Sequence, residues 1–181
     1  MGRSKGRRVG PHGSYPRLFT LIHVHVLRRY AARVSYDLMF MRRQPGQSWG
    51  EALEAAEDYQ DFGAGPDEQV WQRVVARAKL LLGDAFTRLT DDGGEVSHER
   101  TGIQLFLYAD SAEMNVPYGA TGEGATAVLR TMFLLGQVVE EETGLEGYDP
   151  QLGQPLREAA ADLDLGAASF ETVARLLSKP S

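Results

Sequence analysis

The strongest constraint on the fold is an alternating apolar pattern between positions 103 and 118. Every second residue from Ile103 to Leu107 is aliphatic, and the alternation resumes from Met114 to Tyr118 after a break near Asp110. Because the side chains of a strand point alternately to its two faces, this pattern predicts a β-hairpin that helices cover on one side. The aliphatic residues share one face and Phe106 and Tyr108 lie on the other, so neither face is plainly exposed to solvent.

Helical periodicity flanks the hairpin on both sides. Apolar residues recur at intervals of three and four between Asp67, a predicted N-cap, and Gly83, which ends that helix. The longest predicted helix runs from about Glu123 to Thr143, with Gly144 as the residue after its end. An earlier helix is predicted over Trp49–Tyr59, because Ser48 and Glu51 have the spacing of a capping box.

The remaining pattern consists of short strands and a final helix. Strands are predicted over 35–41, 86–89, around 95–98 and, as the last of them, 145–149. A tail helix is predicted over 169–177 with Ser169 as its N-cap. Helices interspersed with an antiparallel hairpin predict an α+β fold, and our specific expectation is a ferredoxin-like antiparallel sheet with helices on one face and one inserted helix.

The charge distribution divides the chain before Val34. Residues 1–33 carry eight of the 19 Lys and Arg residues and no Asp or Glu, while the rest has a formal charge of −14. We therefore predict a basic flexible extension over 1–33, an acidic α+β domain over 34–156 and a C-terminal helical tail over 157–181. Acidity argues against a nucleic acid or membrane partner, since both attract clustered Lys and Arg, and favours a basic protein partner.

An apolar run within the basic extension, residues 18–27, allows several interpretations. A signal peptide needs a small-residue cleavage site, and Tyr30-Ala-Ala-Arg33 is a poor one. A membrane-spanning helix needs about 20 apolar residues, and this run is far shorter. His23 and His25 could share one side of a strand as metal ligands, but no third ligand lies near them in the sequence. We favour a start site placed too far upstream, with Val34 as the true first residue, which the intact mass of the native protein would test.

Motifs of catalysis and cofactor binding do not occur in this sequence. The absence of cysteine excludes disulfides and thiolate chemistry and fits a reducing cytoplasm. The glycine-rich loop over 119–124 does not match a phosphate-binding motif, and Glu123 would repel phosphate. His98 and Glu99 are a candidate acid–base pair, although a lone histidine in a polar loop is more often a surface residue. We predict no catalytic residue, no metal and no cofactor, and favour a protein that is not an enzyme.

Two hypotheses for function follow from these observations. The first is a small acidic cytoplasmic protein-interaction module that masks a basic partner, in the manner of immunity proteins that neutralise toxins. The second is a small-ligand-binding protein or enzyme that uses a polar cleft beside the hairpin. The candidate ligand or partner contacts are the polar residues that close the hairpin and the last strand: Tyr108, Asp110, Tyr118, Tyr148 and Asp149.

Three short motifs resemble a family of small proteins from GC-rich actinobacteria. They are Ser35-Tyr-Asp-Leu38, the pair Gly102-Ile-Gln and Val116-Pro-Tyr118, and Gly147-Tyr-Asp-Pro-Gln151. Many members of that family open with a Ser-Tyr-Asp-Leu strand and end with a Tyr-Asp-Pro-Gln turn. The resemblance covers most of residues 34–156 and implies a fold and a start site, but no reaction. The final motif also has a local explanation, because Asp-Pro initiates turns.

Overall fold

The computed structural model describes residues 35–57 and 64–177, which form seven strands and five helices. The strands are β1 (Ser35–Met41), β2 (Phe86–Thr90), β3 (Gly93–His98), β4 (Ile103–Leu107), β5 (Ser111–Pro117), β6 (Glu146–Asp149) and β7 (Gln154–Pro155). The helices are α1 (Trp49–Glu57), α2 (Glu68–Leu82), α3 (Glu123–Thr143), α4 (Leu156–Ala161) and α5 (Leu163–Leu177). The predicted extension over 1–33, which includes His23 and His25, lies outside the described residues.

All seven strands belong to one antiparallel sheet in the order β2-β3-β4-β5-β1-β6-β7. The α+β class and the antiparallel sheet predicted from the sequence are therefore confirmed. A ferredoxin-like plan has four strands, so this sheet is larger. The β2–β3 hairpin forms one edge of the sheet and the two-residue strand β7 forms the other.

Helices α2 to α5 pack on one face of the sheet and enclose the core. Two glycines of the sheet lie directly under helix side chains and identify this face. A Cβ on Gly94 would meet the Trp71 ring of α2, and one on Gly147 would meet Leu156 of α4. Every second residue of β1, β3, β4 and β5 points into this core and is buried. Helix α3 is central, because it contacts α2, α4 and α5. Helix α1 differs, since its Trp49 stacks on a side chain of the opposite face, Tyr148.

Local capping signals were accurate guides to the helix ends. The Ser48 amide donates to Glu51 Oε2 over 2.8 Å, and the Glu51 amide donates to Ser48 Oγ over 3.3 Å, which completes the predicted capping box. Asp67 accepts from the amides of Gln69 and Val70 at the start of α2. Gly144 ends α3 in the left-handed conformation, with φ of 71°.

Three predictions at the C-terminal end were wrong. Ser169 lies inside α5, which begins six residues earlier at Leu163, so it is not an N-cap. The short helix α4 and the strand β7 were missed, and β6 is therefore not the last strand. The part of α5 that the sequence did not assign to a helix includes Gly166, which lies against the Tyr36 hydroxyl, where a Cβ would be only 3.2 Å away. Close packing, not a capping signal, sets the extent of this helix.

None of the helices in the described ranges combines the length and apolar character that crossing a membrane requires.

Candidate functional site

The sheet face opposite α2 to α5 is rich in carboxylates and aromatic rings. We call it the open face. It consists of the side chains that alternate with the core residues of the strands, and most of them are half-buried. Its members in β1 and in β3 to β6 that bear on the argument are Asp37, Met39, Glu95, Phe106, Glu113, Glu146 and Tyr148.

A row of side chains crosses the open face in register. Glu95 is paired with Phe106, and Phe106 with Glu113, on the adjacent strands β3, β4 and β5. Directly opposed side chains in an antiparallel sheet have Cβ atoms about 4.5–5.5 Å apart. Phe106 is therefore flanked by two carboxylates within reach of a group laid on its ring. An aromatic face between two negative charges attracts a cationic side chain through both charge and ring quadrupole.

A second part of the open face already holds a guanidinium group in this manner. Arg43, just after β1, lies over the Trp49 ring with its Cζ 4.5 Å from the ring centroid. Its Nε donates to Glu146 Oε2 over 3.0 Å, and its Nη2 forms an ion pair with the same carboxylate. Trp49 is stacked in turn on Tyr148, with 4.7 Å between ring centroids. Sequence reasoning missed this cluster, since nothing in the spacing of Arg43, Trp49 and Glu146 indicates that they meet.

A depression of about 170 Å³ lies between the row and the β2–β3 turn. Gly93 forms part of its floor, because a Cβ at that position would meet the Tyr108 ring at 3.0 Å. Arg88 crosses its side and donates to Glu95 Oε2 over 2.8 Å. Burial, followed by the negative charge of Glu113, raises the pKa of Tyr108, so this phenol stays protonated at neutral pH. The lining residues are Arg88, Thr90, Asp92, Gly93, Gly94, Glu95, Phe106 and Tyr108.

The five predicted contact residues fall into separate places. Tyr108 lines the depression, while the exposed Asp110 lies in the β4–β5 turn and pairs with Arg42 over 3.6 Å. Tyr148 is on the open face against Trp49. Tyr118 and Asp149 are brought together elsewhere, around Tyr36 in the core. Tyr148 faces outward, and the next residue, Asp149, is the buried one.

Asp149 and Tyr36 form a fully buried polar pair. The Tyr36 hydroxyl donates to Asp149 Oδ2, and the amides of Gln151 and Leu152 donate to Oδ1 over 2.9 and 3.0 Å. Burial raises the pKa of Asp149, and these hydrogen bonds only partly offset it. Burial, assisted by Asp149, raises the pKa of Tyr36 as well. Because no side-chain oxygen of Asp149 reaches the surface, the geometry gives it the role of closing the β6–β7 turn.

Tyr118 completes this cluster as an aromatic wall. Its ring centroid lies 4.8 Å from that of Phe170 in α5 and 6.3 Å from that of Tyr36. Burial raises the pKa of Tyr118 to about 12, with smaller contributions from the charges of Asp37 and Asp149. The phenol therefore remains neutral at physiological pH. Its half-buried ring contributes packing.

His98 is not the surface residue that its loop composition suggested. It is the last residue of β3, it is only 5% exposed, and its Nδ1 is 2.8 Å from Thr101 Oγ1. Glu99, by contrast, is exposed in the turn that follows, so the two side chains do not form an acid–base pair in this structure. A second, wider depression of about 450 Å³ lies here, lined by Asp84, His98, Glu99 and Arg100.

Within residues 35–57 and 64–177, no group of three His, Asp or Glu side chains is arranged to hold a metal ion. Comparisons with models of protein families, with curated proteins and with solved structures found no match to this chain.

Proposed function

We propose that this protein is a protein-binding module whose open face binds a basic partner. The observation that carries the proposal is the arrangement of Arg43, which is held on the open face by a carboxylate and an aromatic ring. Glu95, Phe106 and Glu113 repeat that chemistry on neighbouring strands. Arginine is common at protein interfaces, and stacking combined with ion pairing is the way it binds most strongly.

The charge of the chain supports the same partner class. The formal charge of residues 34–181 is −14. A negative field of this size accelerates encounter with a positively charged protein and makes association sensitive to salt. An immunity-like role, in which the module covers the basic active surface of a toxin in the cytoplasm, is the form of this function that we favour. Co-expression that restores growth to cells making such a toxin would support that role.

We also infer a ferredoxin-like core for the fold. Strands β1, β4, β5 and β6 lie in the order β6-β1-β5-β4, with α2 between β1 and β4 in the chain and α3 between β5 and β6. This is the β-α-β-β-α-β plan. The hairpin β2–β3 then extends the sheet beyond β4, and α1 is the inserted helix. The open face of such a sheet is a common place for a partner to bind.

The alternative function, a small-ligand-binding protein or an enzyme, depends on the depression that includes Tyr108. Its volume of about 170 Å³ is below the range of about 300–1,000 Å³ that is typical of ligand pockets. A depression of this size suits one side chain of a partner. Thermal stabilisation of the protein by a metabolite, lost in Tyr108→Leu, would favour the alternative.

The proposal is tested by comparing two variants with the same change in charge. Glu95→Gln/Glu113→Gln removes both carboxylates around Phe106, while Glu123→Gln/Glu158→Gln removes two exposed carboxylates of α3 and α4. The wild type and each variant are used to capture proteins from a lysate of the source organism, and the captured proteins are quantified by mass spectrometry at low and high ionic strength. The affinity of each purified candidate is then measured.

We expect a basic protein to bind the wild type and the helix variant equally well, and to bind the open-face variant at least about tenfold more weakly. High salt should weaken the binding further. Equal losses of affinity in both variants would mean that net charge alone accounts for binding. Binding that is unaffected by either variant and by salt would overturn the proposal.

A further inference from the structure

Strand β2 is an edge of the sheet with outward-facing backbone groups. It pairs only with β3, and the turn between them contains two residues, Asp91 and Asp92. The flanking pair, Thr90 and Gly93, must then exchange both of its backbone hydrogen bonds. Alternation along the strand leaves the N–H and C=O groups of Thr87 and Leu89 on the outer side of β2. Among the described residues, no other strand lies beside them.

The opposite edge of the sheet is protected against pairing with a further strand. Strand β7 has only two residues, one of them is Pro155, and the chain enters α4 directly afterwards. Strand β2 is longer and has neither proline nor lysine. Its charged residue, Arg88, is bound to Glu95 of the neighbouring strand. Edges without these protective devices are templates for a further strand.

The two apolar side chains of β2 are unusually exposed for residues of a sheet. Phe86 is 58% exposed and Leu89 is 38% exposed. They lie on opposite faces of the strand, because they are three residues apart and the side chains of a strand alternate between its faces. Just before the strand, Leu80 at the end of α2 is 86% exposed. An added strand would therefore bury apolar surface on both faces as well as backbone groups.

Acidic residues lie at both ends of the β2 edge and favour a positively charged binding segment. Asp84 precedes the strand and Asp91 and Asp92 follow it, and all three are exposed. Both depressions described above also adjoin it, since one includes Arg88 and Asp92 and the other includes Asp84. Charge complementarity selects a basic segment.

A second copy of this chain is disfavoured in the register centred on Arg88. Symmetric antiparallel pairing of two β2 strands about their centre would place Arg88 opposite Arg88 of the second copy. The same register would place Asp84 opposite Asp92 of the second copy. Like charges directly opposite each other destabilise a strand pair. The acidic residues at both ends of the strand favour a different chain with alternating basic and apolar residues.

We propose that β2 accepts an extended basic segment of a partner protein as an eighth strand of the sheet. A cationic side chain of that segment enters the depression of about 170 Å³, where it lies near Asp92 and the rings of Phe106 and Tyr108 and competes with Arg88 for Glu95. This inference rests on the proposed function and assigns the part of the molecule that the partner contacts first. Main-chain hydrogen bonds supply affinity in such strand addition, and side-chain pockets supply specificity.

The test uses the full-length chain and a defined peptide. The probe is an acetylated, amidated peptide of alternating lysine and valine; the controls are its glutamate–valine counterpart and an N-methylated lysine–valine peptide that lacks amide donors. Hydrogen exchange of single amides is followed by NMR. We expect the lysine–valine peptide to slow exchange at Thr87 and Leu89 about tenfold, and both control peptides to leave it unchanged.

A pair of variants separates strand addition from charge attraction. Leu89→Pro removes an outward N–H without removing a hydrogen bond to β3, and Leu89→Val is its matched control. We expect the peptide to slow exchange of the Thr87 amide in Leu89→Val but not in Leu89→Pro. If the proline variant does not fold, the N-methylated peptide still decides the question, because equal protection by it would overturn strand addition.

The outcomes also separate this inference from the proposed function. Peptide binding that perturbs Phe106 and Glu113 but leaves Thr87 and Leu89 unprotected would overturn strand addition and keep the basic-partner proposal. No binding of any basic probe or basic protein would overturn both. Sedimentation as a dimer that protects Thr87 and Leu89 without peptide would show that a second copy occupies the edge, which also overturns the inference.

Discussion

At the scale of single residues, the pairing of Tyr36 with Asp149 links the first strand to the turn after β6. Both side chains are fully buried, and the carboxylate accepts from one hydroxyl and two amides. A buried carboxylate is costly unless its hydrogen bonds are satisfied, so each donor contributes more here than it would at the surface. The pair belongs to the framework that holds β1, β6 and α5 together.

We expect Tyr36→Phe to destabilise the protein by about 1–3 kcal/mol, because it leaves the buried Oδ2 atom of Asp149 without its hydroxyl donor. Tyr118→Phe is the matched control. Tyr118 lies in the same aromatic cluster, but its hydroxyl makes no hydrogen bond to another described residue, so the cost should stay below about 0.5 kcal/mol. Urea denaturation gives both free energies. Equal costs for the two variants would contradict the role assigned to the Tyr36 hydroxyl.

The raised pKa of Asp149 predicts how stability depends on pH. The folded chain holds this proton more tightly than the unfolded chain, whose carboxyl titrates near 3.8. The group therefore contributes its full stability below that value and loses it as the pH rises through the raised pKa. Asp149→Asn removes the titrating group, so the variant does not lose this stability as the pH rises. The free energy of unfolding of the variant minus that of the wild type should then increase as the pH rises above about 3.8.

Urea titrations of both proteins at several pH values measure that difference. The comparison cancels the other carboxyl groups, which are common to both chains. A difference that falls as pH rises would mean that the hydrogen bonds from Tyr36, Gln151 and Leu152 outweigh burial and lower the pKa of Asp149.

Sequence reasoning located Asp149 but assigned it to the wrong surroundings. Its position before Pro150 predicted a turn, and the turn is present. Which of Tyr148 and Asp149 faces the core depends on the register with β1, where Met39 is opposite Tyr148. Register is a non-local property, and a shift of one residue exchanges the two faces. The same dependence explains why His98 was expected at the surface.

At the scale of elements, helix ends were predictable wherever a local hydrogen bond defines them. The capping box at Ser48, the Asp67 cap and the Gly144 stop all depend on residues within one turn. The start of α5 has no such signal. It follows from packing, since Gly166 allows the helix to approach Tyr36 closely. Short elements such as β7 are fixed by neighbours distant in sequence and leave almost no local pattern.

Two glycines in different elements should respond oppositely to alanine. Gly94 of β3 lies under Trp71 of α2, where an added Cβ would be 2.5 Å from the ring. The ring is buried and rigid, so Gly94→Ala should destabilise by about 1–3 kcal/mol. Gly50 lies in α1 with nothing within 4 Å of an added Cβ and no positive φ, so Gly50→Ala should stabilise by about 0.4–1 kcal/mol.

Thermal and urea denaturation of the two alanine variants give the sign and size of each effect. Near-neutral behaviour of Gly94→Ala would mean that α2 can move away from the sheet without loss, contrary to the close packing of Trp71.

At the scale of the whole molecule, the fold class followed from the sequence because two periods, of two and of about 3.6 residues, are both clear in it. The size of the sheet did not follow. Strands β2 and β3 were predicted one by one, but their addition beyond β4 depends on the pairing of Val96 with Leu105, which are nine residues apart. The open face was also invisible, since its row of Glu95, Phe106 and Glu113 exists only once three strands are aligned.

The same topology predicts a gradient of stability across the sheet. Strand β1 lies between β5 and β6 and its core residues are fully buried, whereas β2 has one neighbouring strand and is largely exposed. Amides in β1 and β4 should therefore exchange only on global unfolding, and amides in β2 through local opening of the edge. Within β2 we expect Arg88, which faces β3, to exchange more slowly than Thr87 and Leu89, which face outward. Hydrogen exchange of the free protein by NMR measures all of these rates, and equal protection of Thr87, Arg88 and Leu89 would show that the edge is already covered in the isolated chain.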